Sequence, residues 1–552
     1  MLIRRLLALV PLLSAGRGEA QREAPSRLAE PPLVVLAALT PQVLDAHMRF
    51  LADDLLEGRA PGTRGGDLAA RYIVAEFEAA GLKPAGSSAY VQWVPLVGVR
   101  SEASLVVGSG RRTIVLAAGA DFIAWPERQD TQTVFDGELV FAGFGIDAPE
   151  ESWNDFEGPG VTGKVVVVRL GEPDGAETGA FRGTATTRYS RWTYKIEQAR
   201  RSGAAGVLLI HARDGGAGPW DAVVGTWRRE MMVPERVGAQ GLRFAGWITA
   251  DAARRIVEAT GKDYDVLMRR AEVPGFRAIE LGARAALDMR ASFRSVRAPN
   301  VVGMLDGAGP SADSQAVYFV AHYDHLGTGP PLNGDSVYNG AGDNASGTAA
   351  LLALARAFAS AERPPRRTMI FAATTGGESG LAGAARLAAA PPTPLERVAA
   401  VINLHEMNVW GRTEDVVGIG AELSTLGSVL VDAARAEAVL VTRPSGEAPS
   451  ELYASDHIVF AQLGVPILAL TATGRLTAGP DRSGAGSAVR YRPDHWHRPS
   501  DTVGDGMSLS GFVQQLRVLG RVGWHVAQDP ALPSWLPGAE FQSGSRRPGP
   551  SR

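Results

Sequence analysis

The sequence predicts an α/β fold: a mostly parallel mixed sheet flanked by helices, with a β-rich domain inserted into it. Two observations lead there. From about residue 297 short apolar runs, "AVYFVAHYD", "RTMIFAATT", "AAVINLHEM", "DVVGIG" and "PILALTA", are separated by helical patterns such as "GTAALLALARAFASA", the strand, helix, strand order of a parallel sheet. Between about Thr131 and Val296 the texture is instead one of short β runs and Gly-rich turns, and at 552 residues the chain is too long for one ordinary core.

In chain order, "MLIRRLLALVPLLSAGRGEAQ" places Arg4 and Arg5 before an apolar run from Leu6 to Ala15 and small residues at Gly18 and Ala20. That is the layout of a signal peptide over residues 1–20, so export to periplasm or medium is expected; the run is too short to span a bilayer. Residues 21–130 read as the N-terminal part of the main domain, with two amphipathic helices around a Gly-rich turn. Leu68, Tyr72, Ala75, Phe77 and Leu82 suit the buried stripe of the second helix, and Gly81 with Pro84 stops it. Residues 131–296 form the insertion, in which Val165 to Val168 and Val207 to Ile210 read as buried strands and "RWTYKIEQARRSGAAG" as a helix. Residues 297–530 are the α/β core, and 531–552, rich in Pro, Gly, Ser and Arg, read as a disordered tail.

Composition bounds the function. With 45% hydrophobic and 21% charged residues the chain is that of a soluble globular protein, and a net charge of -3 gives no electrostatic case for nucleic acid or an anionic membrane as partner. There is no cysteine, which excludes thiolate chemistry and the disulfides common in exported proteins. No G-x-S-x-G occurs, which speaks against a serine hydrolase.

Polar residues collect at the ends of the predicted strands, where active sites of parallel sheets lie. "AHYDHLG" brings His322, Asp324 and His325; "YNGAGDNASG" puts Asp343 at a helix start; Glu378 follows "MIFAATT". "VINLHEMN" ends in His405 and Glu406, and "DHWHRPSDT" brings His495, His497 and Asp501. Singly these are ordinary: a strand-end histidine is commonly a surface residue, Asp343 alone suits a helix N-cap, and Glu378 alone suits a solvated turn. Together, five loops offer imidazole and carboxylate at one rim, the donor types of a borderline divalent ion such as Zn²⁺.

In order, "VAHYDHLG", "YNGAGDNASGTAAL", "TTGGESGLAGA", "INLHEMNVWGRTEDV", "YASDHIVFAQLGVPIL" and "WHRPSDT" resemble the motifs of the secreted double-zinc aminopeptidases, the peptidase family that also contains glutamate carboxypeptidase. The resemblance covers about Leu39 to Val526 and implies the zinc exopeptidase fold; the insertion resembles a protease-associated domain. It implies two zinc ions per chain, with Co²⁺ or Mn²⁺ as alternatives, and a peptide substrate. His322 would bind one zinc, Asp343 bridge both, and Glu378 and His497 bind the other, while Asp324 would orient His322. Tyr453, Ser455 and Asp456 match a loop lining the substrate pocket, although Ala454 stands where the family commonly has arginine.

Two positions depart from the family. Gly377 replaces the glutamate that takes a proton from the bridging water, and glycine accepts none. His405 replaces an aspartate ligand; imidazole still binds zinc, but with one negative charge fewer. Glu406 follows it and would point away from His405 if the strand continued; turned inward, it would be a ligand or base. The resemblance implies an exported aminopeptidase acting through hydroxide held between two metals. The alternative is a pseudopeptidase, disarmed at Gly377, that binds metal or peptide.

Overall fold

The computed structural model describes residues 28–542 apart from 176–180, 182–185, 212–217, 236–240, 310–314, 445–447, 473–474, 478–493 and 505. The expected signal peptide lies outside the described residues. Among those described, no helix is long and apolar enough to cross a membrane.

The fold is a mixed, mostly parallel sheet flanked by helices, as the strand and helix pattern predicts. Ala316–His322 lies between Thr368–Thr374 and Val398–Asn403, parallel to both, and Val398–Asn403 runs parallel to Ile467–Ala472. Asp415–Ile419 then pairs antiparallel to Ile467–Ala472 and parallel to Leu440–Thr442. The apolar runs are continuous because both faces of the sheet are covered. Val317, Phe319 and Ala321 pack on one side with the helices Gly347–Ala359 and Ser510–Gln528, while Ala316, Tyr318 and Val320 pack on the other with Leu387 and Phe460.

One strand of 27 residues, Ile279–Leu305, joins this sheet to the β-rich part. Its end pairs antiparallel with Thr368–Thr374, and its beginning with Gln132–Phe141. It therefore runs straight through the expected boundary at 296/297. Pro299 is tolerated because the stretch between those two partners is paired on one side only, with Val91–Ser109. Beyond it, Gln132–Phe141, Val165–Arg169, Gly206–His211 and Phe244–Thr249 run parallel in that order, edged by antiparallel Phe122–Pro126. Strands from 91–126 thus pair with the 131–296 segment. Val165 and Val167 face one apolar cluster, and Val166 and Val168 another, again a strand buried on both faces.

Two expectations need correction. In the helix Arg64–Ala79 the buried stripe is Ala69, Ala70, Ile73 and Phe77, and Leu68 and Ala75 are exposed. Gly65 and Gly66 press against the backbone of Leu56 and Ala60, where a Cβ would meet carbonyl oxygens at 1.6 and 2.4 Å, and that contact sets the rotation of the helix. The tail is not disordered as far as residue 542: Trp535 Nε1 donates to the Gly464 carbonyl at 3.0 Å, and Phe541 is buried. Two aromatic side chains give this short segment enough apolar area to dock. Residues 543–552 lie outside the described ones.

Candidate metal centre

Parallel strands deliver their C-terminal ends to one rim. His322 closes Ala316–His322, Glu378 lies in the turn after Thr368–Thr374, and His405 follows Val398–Asn403. Asp343 lies in a π-helical turn, Ala341–Ser346, ahead of Gly347–Ala359. Asp501 holds that turn, its carboxylate accepting from the N–H of Gly342 at 2.8 Å and of Asp343 at 3.2 Å. Asp501, one of the rim acids, is thus directed at backbone. Arg59, wholly buried, donates to the carbonyls of Tyr323, Asn339 and Gly340, tying the loop after Ala316–His322 to the residues that lead into the Asp343 turn.

The donor atoms converge on Asp343. Its Oδ1 lies 3.4 Å from His322 Nε2 and 3.7 Å from His405 Nε2. Its Oδ2 lies 3.4 Å from His497 Nε2, which is 3.3 Å from Glu378 Oε2. His325 Nδ1 is 3.4 Å from Glu378 Oε1. His322, Asp343 and His405, and likewise His325, Asp343 and Glu378, each bring ligand atoms within 4.8 Å of one another. These separations are longer than hydrogen bonds, and they match two ligands on one tetrahedral ion, which at about 2.1 Å from the metal stand about 3.4 Å apart. Asp343 Oδ1 and both ring nitrogens of His325 are buried without a hydrogen-bond partner. The donor set fits divalent metal.

Charge agrees. Burial opposes a charged His322, yet Asp343, Asp324 and Glu378 outweigh it and push the imidazole up to about 10; His497 rises to about 9 beside Glu378 and Asp343. Burial likewise opposes ionised Asp343, but His322 and His497 hold it well below the carboxylate range. For Glu378, burial and Asp343 raise, and His497 and His325 lower, with the lowering dominant. Burial lowers His325. Two carboxylates kept ionised among four imidazoles are arranged for cations.

The remaining expected residues fall as follows. His322 Nδ1 is 3.2 Å from the backbone carbonyl of Asp324 but 3.8 Å from its carboxylate, so Asp324 holds the ring through its main chain. The Asp324 carboxylate instead accepts from the N–H of Gly377 at 3.1 Å, and burial pushes it up to about 7. Gly377 lies against His322: a Cβ there would stand 2.4 Å from the ring Cγ. The strand ends at Asn403, and Glu406, at φ 43°, has left strand geometry, so Glu406 and His405 both line the cleft instead of alternating. Tyr453 and Ser455 line it too, Tyr453 donating to Glu540 at 2.6 Å and Ser455 Oγ accepting from Asn403 at 3.0 Å. Asp456 is turned away and accepts from the Thr374 hydroxyl, so it is not part of the cleft wall.

The cleft over the centre holds about 1060 Å³ and is walled on its far side by the β-rich part, including Trp192, Trp227, Arg229 and Met231. That part also reaches the centre itself. Thr226 Oγ1 lies 3.2 Å from His497 Nδ1, and Arg498 donates to both oxygens of Asp221 at 2.9 Å. His325, Arg59 and Thr226 are what the sequence left unassigned; only His325, inside "HYDH", carried a local signal.

Residues 300–512 match the sequence model of peptidase family M28. This segment is a peptidase family M28 domain. In fold, the chain resembles an aminopeptidase from Aneurinibacillus sp. strain AM-1, with 17% identity, 90% of this chain and 97% of that one covered, and a TM-score of 0.53. A peptidase M28 precursor from Shewanella amazonensis SB2B aligns at 18% identity over 92% and 98% of the two chains, TM-score 0.49. BSAP, a zinc aminopeptidase from Bacillus subtilis, aligns at 18% over 88% and 95%, TM-score 0.48. At 17% identity the first of these likenesses is one of fold. The M28 domain includes every residue of the cluster, from His322 to His497.

Proposed function

We propose that the protein is an exported, metal-dependent aminopeptidase that removes N-terminal residues from peptides at a two-metal centre bridged by Asp343. One observation carries this: the two oxygens of Asp343 face different sets of donors, His322 with His405 on one side and His497 with Glu378 on the other. When bound, two divalent ions, zinc by the donor set, would supply Lewis-acid polarisation of a carbonyl and a nucleophile at neutral pH. The chain's own residues do the rest. The Asp324 carbonyl keeps the His322 imidazole oriented, Thr226 stands beside His497 Nδ1, and the cleft walls receive the peptide. Glu406, on the cleft wall beside His405, takes the part of proton acceptor that Gly377 cannot play. The segment 131–296, with the strands from 91–126 paired to it, acts as a protease-associated module that closes the cleft.

A second reading, a pseudopeptidase that binds metal or peptide without turnover, is favoured by Gly377 alone. The test is metal content of the purified mature protein together with hydrolysis of a panel of aminoacyl-anilides. Two zinc ions per chain and hydrolysis abolished by chelator support the peptidase; two zinc ions with no hydrolysis of any anilide or peptide leave the binding protein. N-terminal sequencing of secreted protein would check cleavage near residue 20.

A further inference from the structure

We propose that Arg229 selects the substrate: its guanidinium binds the side-chain carboxylate of the residue being removed, so that the protein acts on peptides with an acidic N-terminal residue. The assignment rests on the aminopeptidase reading above and names its substrate class. Arg229 lies on the far wall of the cleft over the centre, between the helix Trp220–Trp227 and the strand Met231–Pro234. Its Nε donates to the Thr226 carbonyl at 3.0 Å, and the Thr226 hydroxyl is 3.2 Å from His497 Nδ1, so one threonine links the guanidinium to a side chain of the centre. That bond engages Nε and leaves both Nη groups. The acids of its own segment are taken, Asp221 by Arg498 and Glu230 by Nε and Nη2 of Arg294. On the same cleft Arg188, Arg200 and Arg201 are each paired with glutamates; among the described residues no carboxylate pairs with Arg229. Burial pulls it down to about 10, opposed by Glu378, Tyr338 and Asp324, so it stays charged at neutral pH. Those two acids do not fill its fork: Glu378 faces His325 and His497, and Asp324 accepts from Gly377. A half-buried guanidinium in that state is costly unless a ligand supplies the anion.

The fork is held in place before any ligand arrives. Trp227 is stacked on Trp125, with ring centroids 3.9 Å apart, and meets Trp192 edge-on at 5.4 Å. Gly225 abuts Tyr338, where a Cβ would stand 2.6 Å from the hydroxyl, and this fixes the helix against the core. Met231–Pro234 pairs antiparallel with Leu96–Val99. A rigid planar fork matches a carboxylate with two parallel hydrogen bonds and a neutral amide poorly. The residue being removed is the one the cleft encloses, because the rest of the peptide has to leave for solvent. A half-buried cation at the centre therefore meets that residue's side chain. The competing role is internal, in which Arg229 only offsets the charge of Glu378 and Asp324 and no substrate touches it.

Steady-state kinetics of the zinc-loaded mature protein on aminoacyl-anilides separates the two. Glutamyl- and aspartyl-anilides should exceed their neutral isosteres, glutaminyl and asparaginyl, in kcat/KM by roughly 10–100-fold, the worth of a hydrogen bond to a charged group. The glutamyl to glutaminyl ratio should fall close to unity in Arg229→Met and be partly kept in Arg229→Lys, which has the charge without the fork. A wild-type ratio close to unity, or a loss in Arg229→Met that is equal for both substrates, would overturn the assignment in favour of the internal role. So would a preference seen only for leucyl-glutamate amide over leucyl-glutamine amide, where the acid is the second residue. Calorimetric titration of the zinc-loaded protein with free glutamate and free glutamine keeps this assignment apart from the reading beneath it. If no anilide is cleaved but glutamate binds more tightly than glutamine, and Arg229→Met removes the difference, the carboxylate site stands and the peptidase reading falls. Equal binding with no cleavage would overturn both. The wild-type ratios need no variant to fold.

Discussion

A side chain placed at position 377 should damage the centre instead of arming it. A methyl group there would lie 2.4 Å from His322 Cγ and 2.7 Å from both its Cβ and Nδ1. Ordinary carbon contact begins near 3.5 Å, so Gly377→Ala forces ring and turn apart by about 1 Å. Neither yields readily. The His322 carbonyl accepts from Asn344 Nδ2 and Thr348 Oγ1, both at 3.1 Å, while the turn is held by Gly377 N–H on Asp324 and by Ala382 and Gly383 N–H on its own carbonyls. Overpacking of this kind costs about 1–3 kcal/mol, to be read as a fall in unfolding free energy of apo protein in urea. A donor moved by about 1 Å is also outside the ±0.2 Å tolerance of a ligand bond, so zinc affinity should fall with it. Gly377→Glu brings the same Cβ and should lose metal and hydrolysis together. A Gly377→Glu protein with wild-type stability, two bound zinc ions and faster anilide hydrolysis would refute this reasoning and make the glycine a simple loss of the base.

Glu406→Gln should lower kcat by roughly 10²–10⁴-fold with metal content unchanged if Glu406 accepts the proton; an unaltered pH–rate profile would remove it from that role. Thr226→Val, which takes a hydroxyl from His497 Nδ1, should weaken zinc about 10–100-fold without loss of fold, measured by chelator competition. Zinc held at about a hundred times its Kd should stabilise the protein by about 2.7 kcal/mol per site, and excess chelator should reverse the shift in thermal unfolding. In the β-rich part, burial pushes the Lys195 amine down to about 7 and the Asp155 carboxyl up to about 6, each tempered by the other. Lys195→Met leaves Asp155 its three N–H donors, Phe144, Ile146 and Trp153, but no cation. A carboxyl raised above its unfolded value forfeits stability as pH rises from the unfolded value toward the folded one, and Lys195 is charged in the wild type only below about 7, so the loss should be small at about pH 4 and larger at about pH 6.5; equal losses at both would show that charge is not its cause.

The centre was legible where topology alone decides position. His322, Glu378 and His405 each follow a buried apolar run, and parallel strands must bring such ends to one rim, so their meeting needed no side-chain detail. Legibility failed wherever the chain leaves a regular period. Glu406 was expected to point away because alternation holds only while a strand lasts, and this one stops at Asn403. His325 lies three residues beyond its strand, where no period says which way a ring turns. Arg59 bonds to carbonyls 264 to 281 positions away, a separation no local pattern encodes. Gly377 lies between these cases. Its missing carboxylate could be read from the motif, but the reason a carboxylate cannot simply be put back, the His322 ring in the space of its Cβ, exists only in three dimensions. The packing of that ring and the place of Glu406 on the cleft wall bear together on the proposed activity: His322 fills the space of a side chain at 377, so the proposal assigns the base to another wall, which Glu406, beside His405, lines.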